Sequence, residues 1–234
     1  MRSISKFLPK GRIRLTVLGL MFAATLISLV LFRVRTILSG SIEYAFLVWN
    51  LFLAWIPLGS AYLISISANR RRSTLMVSLP AVLLLWLVFF PNAPYILTDL
   101  QHLGVPRSGI PLWFDTLLLI WFAWTGLSLG LVALFLMHGM IRREFGRLVG
   151  WFFVMVVGFL SGLGIYIGRF LRWNSWDLLL DPLVRISDFM YYASHPSMRS
   201  ILFIGTFSTF FLFSYISLYT FGFLIQEQIL EDVK

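Results

Sequence analysis

Residues 112–137 read LWFDTLLLIWFAWTGLSLGLVALFLM, and the one charged residue in this run, Asp115, stands close to its start. At about 1.5 Å of rise per residue, such a helix crosses a hydrocarbon core of about 30 Å with length to spare. Five more apolar stretches flank it, from about Leu15 to Phe32, Tyr44 to Ile66, Leu75 to Phe90, Leu148 to Gly168 and Ser200 to Leu224. The chain of 234 residues is 59% hydrophobic and 12% charged, with a mean hydropathy of +0.87. Ordinary soluble domains have about 25% charged residues, so this apolar surface needs lipid as its solvent. Where water is missing, the backbone must satisfy its own polar groups, which makes the six spans helices. The expected fold is one all-α integral membrane domain of about six transmembrane helices.

The formal charge of +9 does not point to nucleic acid, because the basic residues sit in short runs between apolar segments, where topology explains them. Placing the N-terminus inside puts twelve of them on the inner side: Arg2, Lys6, Lys10, Arg12, Arg14, Arg70, Arg71, Arg72, Arg142, Arg143, Arg147 and Lys234. Seven remain outside: Arg33, Arg35, Arg107, Arg169, Arg172, Arg185 and Arg199. The excess predicts both termini of this multi-pass protein in the cytoplasm. The first apolar run exceeds the length of a signal-peptide core and has no clear small-x-small site after it, so it reads as an uncleaved helix. With no cysteine in the chain, disulfides and thiolate chemistry are excluded.

Two connections carry more than a turn. Pro91-Asn92-Ala93-Pro94-Tyr95 stops the third span, and Ile96, Leu97, Leu100 and Leu103 then recur at helical spacing with Asp99 and His102 on another face. The spacing predicts a short helix lying at the membrane interface. Between Arg169 and Arg199, Asp181-Pro182 reads as an N-cap and first helical residue, followed by an apolar stripe of Leu183, Ile186, Phe189 and Met190. A second interfacial helix is expected there. Gly126 with Gly130, Gly158 with Gly162, and Gly164 with Gly168 predict close helix contacts.

Polar residues gather at one side. Glu43, Asn50, Asn92, Asp99, His102, Asp115, Arg169, Arg172, Asn174 and Asp177 all fall at the predicted outer ends of spans or in outer loops. Arg169 and Arg172, three apart, suit either pairing with Asp99, Asp115 or Asp177 or a grip on a phosphate or carboxylate. Asn92, Asn174, Asp177 and Asn50 join them as binding candidates, since a membrane-embedded amide needs a partner. Asp99, His102 and Asp115 are the candidate acid, base or catalytic groups, and Asp99 with His102 has the residue types of a metal pair, although D-x-x-H alone carries little. No H-E-x-x-H, G-x-S-x-G or G-x-x-x-x-G-K-[ST] motif is present, and no residue pattern assigns a cofactor.

Three runs, residues 89–100 (FFPNAPYILTDL), 111–115 (PLWFD) and 168–177 (GRFLRWNSWD), resemble the bacterial multi-pass family catalogued as domain of unknown function 1361. The resemblance covers roughly Tyr44 to Tyr219. It implies a membrane protein and names no substrate. Three functions therefore stay open: an outer-leaflet site that binds or acts on an anionic lipid or lipid-linked head group, an accessory subunit that docks a protein partner, and a small transporter.

Overall fold

The computed structural model describes residues 10–67, 72–103, 109–173, 180–195 and 197–231. Among these there is no strand, and six helices are long and apolar enough to cross a membrane. The chain is a multi-pass, all-helical membrane protein. Its helices are α1 (Lys10–Ser39), α2 (Ala45–Ser67), α3 (Arg72–Phe89), the short α4 (Asn92–Tyr95) continued by a 3-10 helix (Ile96–His102), α5 (Leu112–Phe145), α6 (Arg147–Tyr166) continued by a π turn (Ile167–Leu171), α7 (Pro182–Ser194) and α8 (Met198–Glu231).

The apolar run 112–137 lies in α5, which forms the hub. α5 touches α1, α2, α4, the 3-10 helix and α6. Two-thirds of its spanning window is buried, 67% against 6% for α1 and 17% for α8, which puts those two at the rim facing lipid. Leu47, Leu51, Ala54 and Leu58 of α2 meet Leu118, Phe122, Leu129 and Ala133 of α5 in the core, each almost fully buried. A single residue, Gly146, links α5 to α6; its φ of 93° lies where side chains are strained, so glycine suits a reversal this short.

The glycine pairs do three separate jobs. Gly158 and Gly162 admit Leu212 and Ser208, seating α8 on α6. Gly126 and Gly130, midway along α5, face Ala93, Pro94 and Ile96, while Gly164 and Gly168 face Pro91 and Tyr95. The proline-broken segment is thus held between glycine faces of α5 and α6.

That placement corrects the expectation of an interfacial helix at 96–103. Ala93 and Ile96 are fully buried, and Leu97, Leu100 and Leu103 pack against the core. Gly126, which touches Ile96, lies roughly 20 Å along α5 from Leu112 at 1.5 Å per residue. Residues 81–102 therefore form one crossing, broken at Pro91, whose second half belongs to the bundle wall. The apolar stripe packs on α5 and α2 because glycines let the chain approach.

Other boundaries shift outward. α1 runs on past Phe32 to Ser39, so Arg33 and Arg35 belong to a helix and not to an outer loop. α5 continues past Met137 to Phe145, and α8 past Leu224 to Glu231. The second short helix forms as α7 with Pro182 in its first turn, and Leu183 and Met190 of its stripe are exposed. Arg70, Arg71, Arg107, Asn174, Asp177, Lys234 and the basic leader before Lys10 lie outside the described residues.

Candidate functional site

Breaking a helix inside the bundle leaves backbone groups that need partners, and Arg169 supplies donors to the broken half. From the π turn after α6, its Nη1 donates to the Tyr95 hydroxyl (3.1 Å) and to Oδ1 of Asp99 (3.2 Å). Its Nη2 donates to the Thr98 carbonyl (2.9 Å) and lies 3.4 Å from Nε2 of His102. In the amide orientation that satisfies both of its atoms, the Gln101 oxygen accepts from Nε and Nη2 as well. The guanidinium donors of Arg169 are thereby directed into one segment, residues 95–102. Asp99, 1% exposed, takes its second bond from Nδ2 of Asn50 on α2 at 2.9 Å. This buried ion pair pins α2, the broken span and α6 together.

The second ion cluster is separate. Arg35 of α1 is fully buried and pairs in a fork with Asp115 at the start of α5, Nε to Oδ1 at 3.0 Å and Nη2 to Oδ2 at 3.4 Å. Its guanidinium lies over the Tyr44 ring at 3.9 Å, and Glu43 stands 3.8 Å from Nη2. Burial, followed by the Asp115 carboxylate, pushes the Tyr44 hydroxyl above the ordinary phenol range, so the ring keeps its proton. Further down α1, the Trp55 indole donates to the Thr25 hydroxyl and the Trp121 indole to the Ala24 carbonyl. Polar contacts of this kind hold a rim helix in a solvent that provides no hydrophobic drive between helices.

Beside the first cluster lies a cavity of about 440 Å³. Leu84, Leu87 and Val88 of α3 line one wall and Leu160, Leu163 and Ile167 the other, with Pro91 and Gly164 behind. Asn50, Asn92, Tyr95, Arg172 and Trp173 bring its polar and amphipathic groups, at the end of the bundle where α2 begins and α6 stops. Pockets of about 300–1,000 Å³ with a few convergent polar groups are the usual form of a small-molecule site. Arg172 is the one non-glycine residue with positive φ among the described residues, at φ 57° and ψ 34°. This left-handed turn costs roughly 1–2 kcal/mol for a side chain with a Cβ and takes the chain out of the π turn. Among the described residues, no carboxylate or carbonyl pairs with its guanidinium. Asn92 donates to the Phe89 carbonyl at 3.0 Å while lining the same space.

The candidate residues thus separate into three groups. Asp99, His102, Asn50 and Arg169 come together as a packed network, whose Arg169 guanidinium fills the place a metal held by Asp99 and His102 would need. Asp115 pairs with Arg35 elsewhere, so the three candidate catalytic groups do not converge. Arg172, Asn92 and Asn50 meet at the cavity. Arg35, Tyr44 and Gln101 are site-forming residues that spacing did not reveal; Arg35 read as a topology flank, and no local pattern couples it to Asp115 eighty positions on. Among the described residues, no three His, Asp or Glu side chains gather as a metal site would require.

At the opposite end, His138 and Arg142 of α5 meet Tyr215 and Tyr219 of α8, each at 2.7 Å. His138 is buried among Trp151, Tyr215 and Tyr219. It is a packed core residue, 1% exposed.

A helical membrane bundle with a broken third span and a cavity walled by leucines is the class these features define. The chain belongs to the family described as Protein of unknown function (DUF1361), whose model matches residues 49–221. No curated protein and no solved structure matches it. All of the cavity lining falls within the family region, whereas α1 and the Arg35 and Tyr44 side chains lie outside it.

Proposed function

We propose that the protein binds a membrane amphiphile with an anionic head group, a lipid or lipid-linked molecule that enters the cavity sideways from the bilayer. The observation that carries this is the mixed lining of the cavity: Leu84 and Leu87 of α3 and Leu160 and Leu163 of α6, together with Asn50, Asn92, Tyr95 and Arg172. A hydrocarbon chain between α3 and α6 would stay in an apolar medium, while its head met the arginine and the two amides. Among the described residues that line the cavity, Arg172 is the cation, while Arg169 is committed to residues 95–102. Binding is preferred to catalysis because Asp99 is sealed behind Asn50 and Asp115 lies in another cluster.

With the predicted orientation, the head group lies in the outer leaflet of a cytoplasmic membrane. Native mass spectrometry of the protein extracted in native membrane particles tests the proposal: wild type should retain a specific anionic lipid that Arg172→Asn loses while remaining folded. Retention of no specific lipid by the wild type would count against it. Transport is the second reading, favoured by the break at Pro91, since broken helices accompany substrate sites in many transporters. Lipid-dependent flux or leaflet exchange in proteoliposomes separates transport from binding alone.

A further inference from the structure

The geometry points to a narrower ligand class, resting on the binding function proposed above: the cavity takes an amphiphile with a single hydrocarbon chain ending in an oxyanion, a phosphate or a carboxylate, rather than a diacyl phospholipid. Its two walls are single rows of side chains, Leu84, Leu87 and Val88 facing Leu160, Leu163 and Ile167. Behind them, Pro91 closes against Gly164, where an added Cβ would stand 2.6 Å from the proline ring. About 440 Å³ lies in the lower part of the range for one small ligand. One chain with a compact head is the size of ligand this space suits.

The head-group end has the same economy. One guanidinium, that of Arg172, offers paired donors suited to a carboxylate or phosphate edge, and the side-chain amides of Asn50 and Asn92 line the space beside it. Among the described residues, no carboxylate lines the cavity. The left-handed backbone at Arg172 ends the π turn and sets this residue apart from Arg169, three positions earlier, whose donors point inward.

The test uses the full chain in nanodiscs of neutral phosphatidylcholine, titrated with hexadecyl phosphate, hexadecanoate, hexadecanol, dihexadecanoyl phosphatidylglycerol and inorganic phosphate, with bound mass read by native mass spectrometry. Hexadecyl phosphate and hexadecanoate should each bind one per protein. Hexadecanol and inorganic phosphate should bind weaker by about tenfold or more, the scale of losing a hydrogen-bonded charge partner. Arg172→Asn, chosen because asparagine tolerates a left-handed backbone, should lose the anionic preference, and Arg172→Lys should retain part of it. Leu163→Trp should block the single-chain ligands by filling the slot, with thermal unfolding of each variant reporting that the fold is kept. Binding of the diacyl lipid equal to or tighter than hexadecyl phosphate overturns the single-chain assignment while leaving the general binding function standing. Equal binding of hexadecanol, or anion binding unchanged in Arg172→Asn, overturns the role given to the oxyanion. If none of the amphiphiles binds, both the ligand class and the binding function fall.

Discussion

At the scale of single residues, Arg35 and Arg169 have different tasks although both are paired with aspartate. Arg35 joins a rim helix to the hub, with Asp115 as the partner that neutralises it at 3.0 Å. Removing one member of a buried pair leaves the other charge uncompensated, which costs about 3–5 kcal/mol, whereas removing both is far milder. Asp115→Leu and Arg35→Leu are therefore each expected to destabilise the protein strongly in detergent, and the two combined to recover much of the loss. Thermal unfolding of the two single variants and the double variant provides the cycle; additive losses would show that the pair is not coupled. Arg169 holds the broken span through several acceptors at once, and a lysine offers three donors from one nitrogen and cannot reach them together. Arg169→Lys is expected to lower stability by about 2 kcal/mol or more and to loosen residues 95–102. Faster amide hydrogen exchange there, with little change in α8, would be the signature.

At the scale of elements, the third span explains why the glycines stand where they do. A Cβ added at Gly126 would lie 2.7 Å from both the Ala93 carbonyl oxygen and the Ile96 side chain, and backbone cannot yield as a flexible side chain does. Gly126→Val should therefore push the broken half away from α5 and destabilise by about 1–3 kcal/mol or more, as overpacking does. Gly19→Val on α1 serves as the control, because a Cβ there meets nothing within 4 Å. Similar losses from both variants, measured by unfolding in the same detergent, would mean that close approach is not the reason for glycine at 126. Much of this element was legible beforehand: Pro91 and Pro94 announced the break, and the spacing of Ile96, Leu97 and Leu100 announced a helical restart. What spacing could not convey was depth. An apolar stripe looks the same whether lipid or a neighbouring helix covers it, and only the glycine faces of α5 and α6 show which one does.

For the whole molecule, polarity is divided between the two ends. The Asp99, Arg169 and Asn50 network and the Arg35 and Asp115 pair lie at the end where α2 and α5 begin, and His138, Arg142, Tyr215 and Tyr219 lie at the other. We propose, from the count of basic residues, that the first end faces outward. Because the chain has no cysteine, Ile42→Cys and Glu227→Cys on an otherwise native background give a clean test. Ile42, 71% exposed in the α1–α2 connection, should react with a membrane-impermeant thiol reagent added to intact cells, and Glu227 should react only after lysis. The reverse pattern would invert the topology and place the cavity's polar end in the inner leaflet.

The sequence by itself determined the solvent, the class of fold and the number of crossings, because these follow from run length and composition, which are local. Alternating spans also bring Asn50, Asp99, Asp115 and Arg169 toward one end, since every second connection falls on the same side. Partnership was decided by the tertiary structure. Arg169 and Arg172 are near neighbours of one type, yet one is saturated by residues 95–102 and the other faces a cavity, because a π turn and a left-handed residue separate their directions. Arg35 and Asp115 are distant in the chain and became a pair only when α1 settled against α5. Side-chain direction and depth depend on which helices pack together, and that choice is made by long-range contacts that no local pattern records.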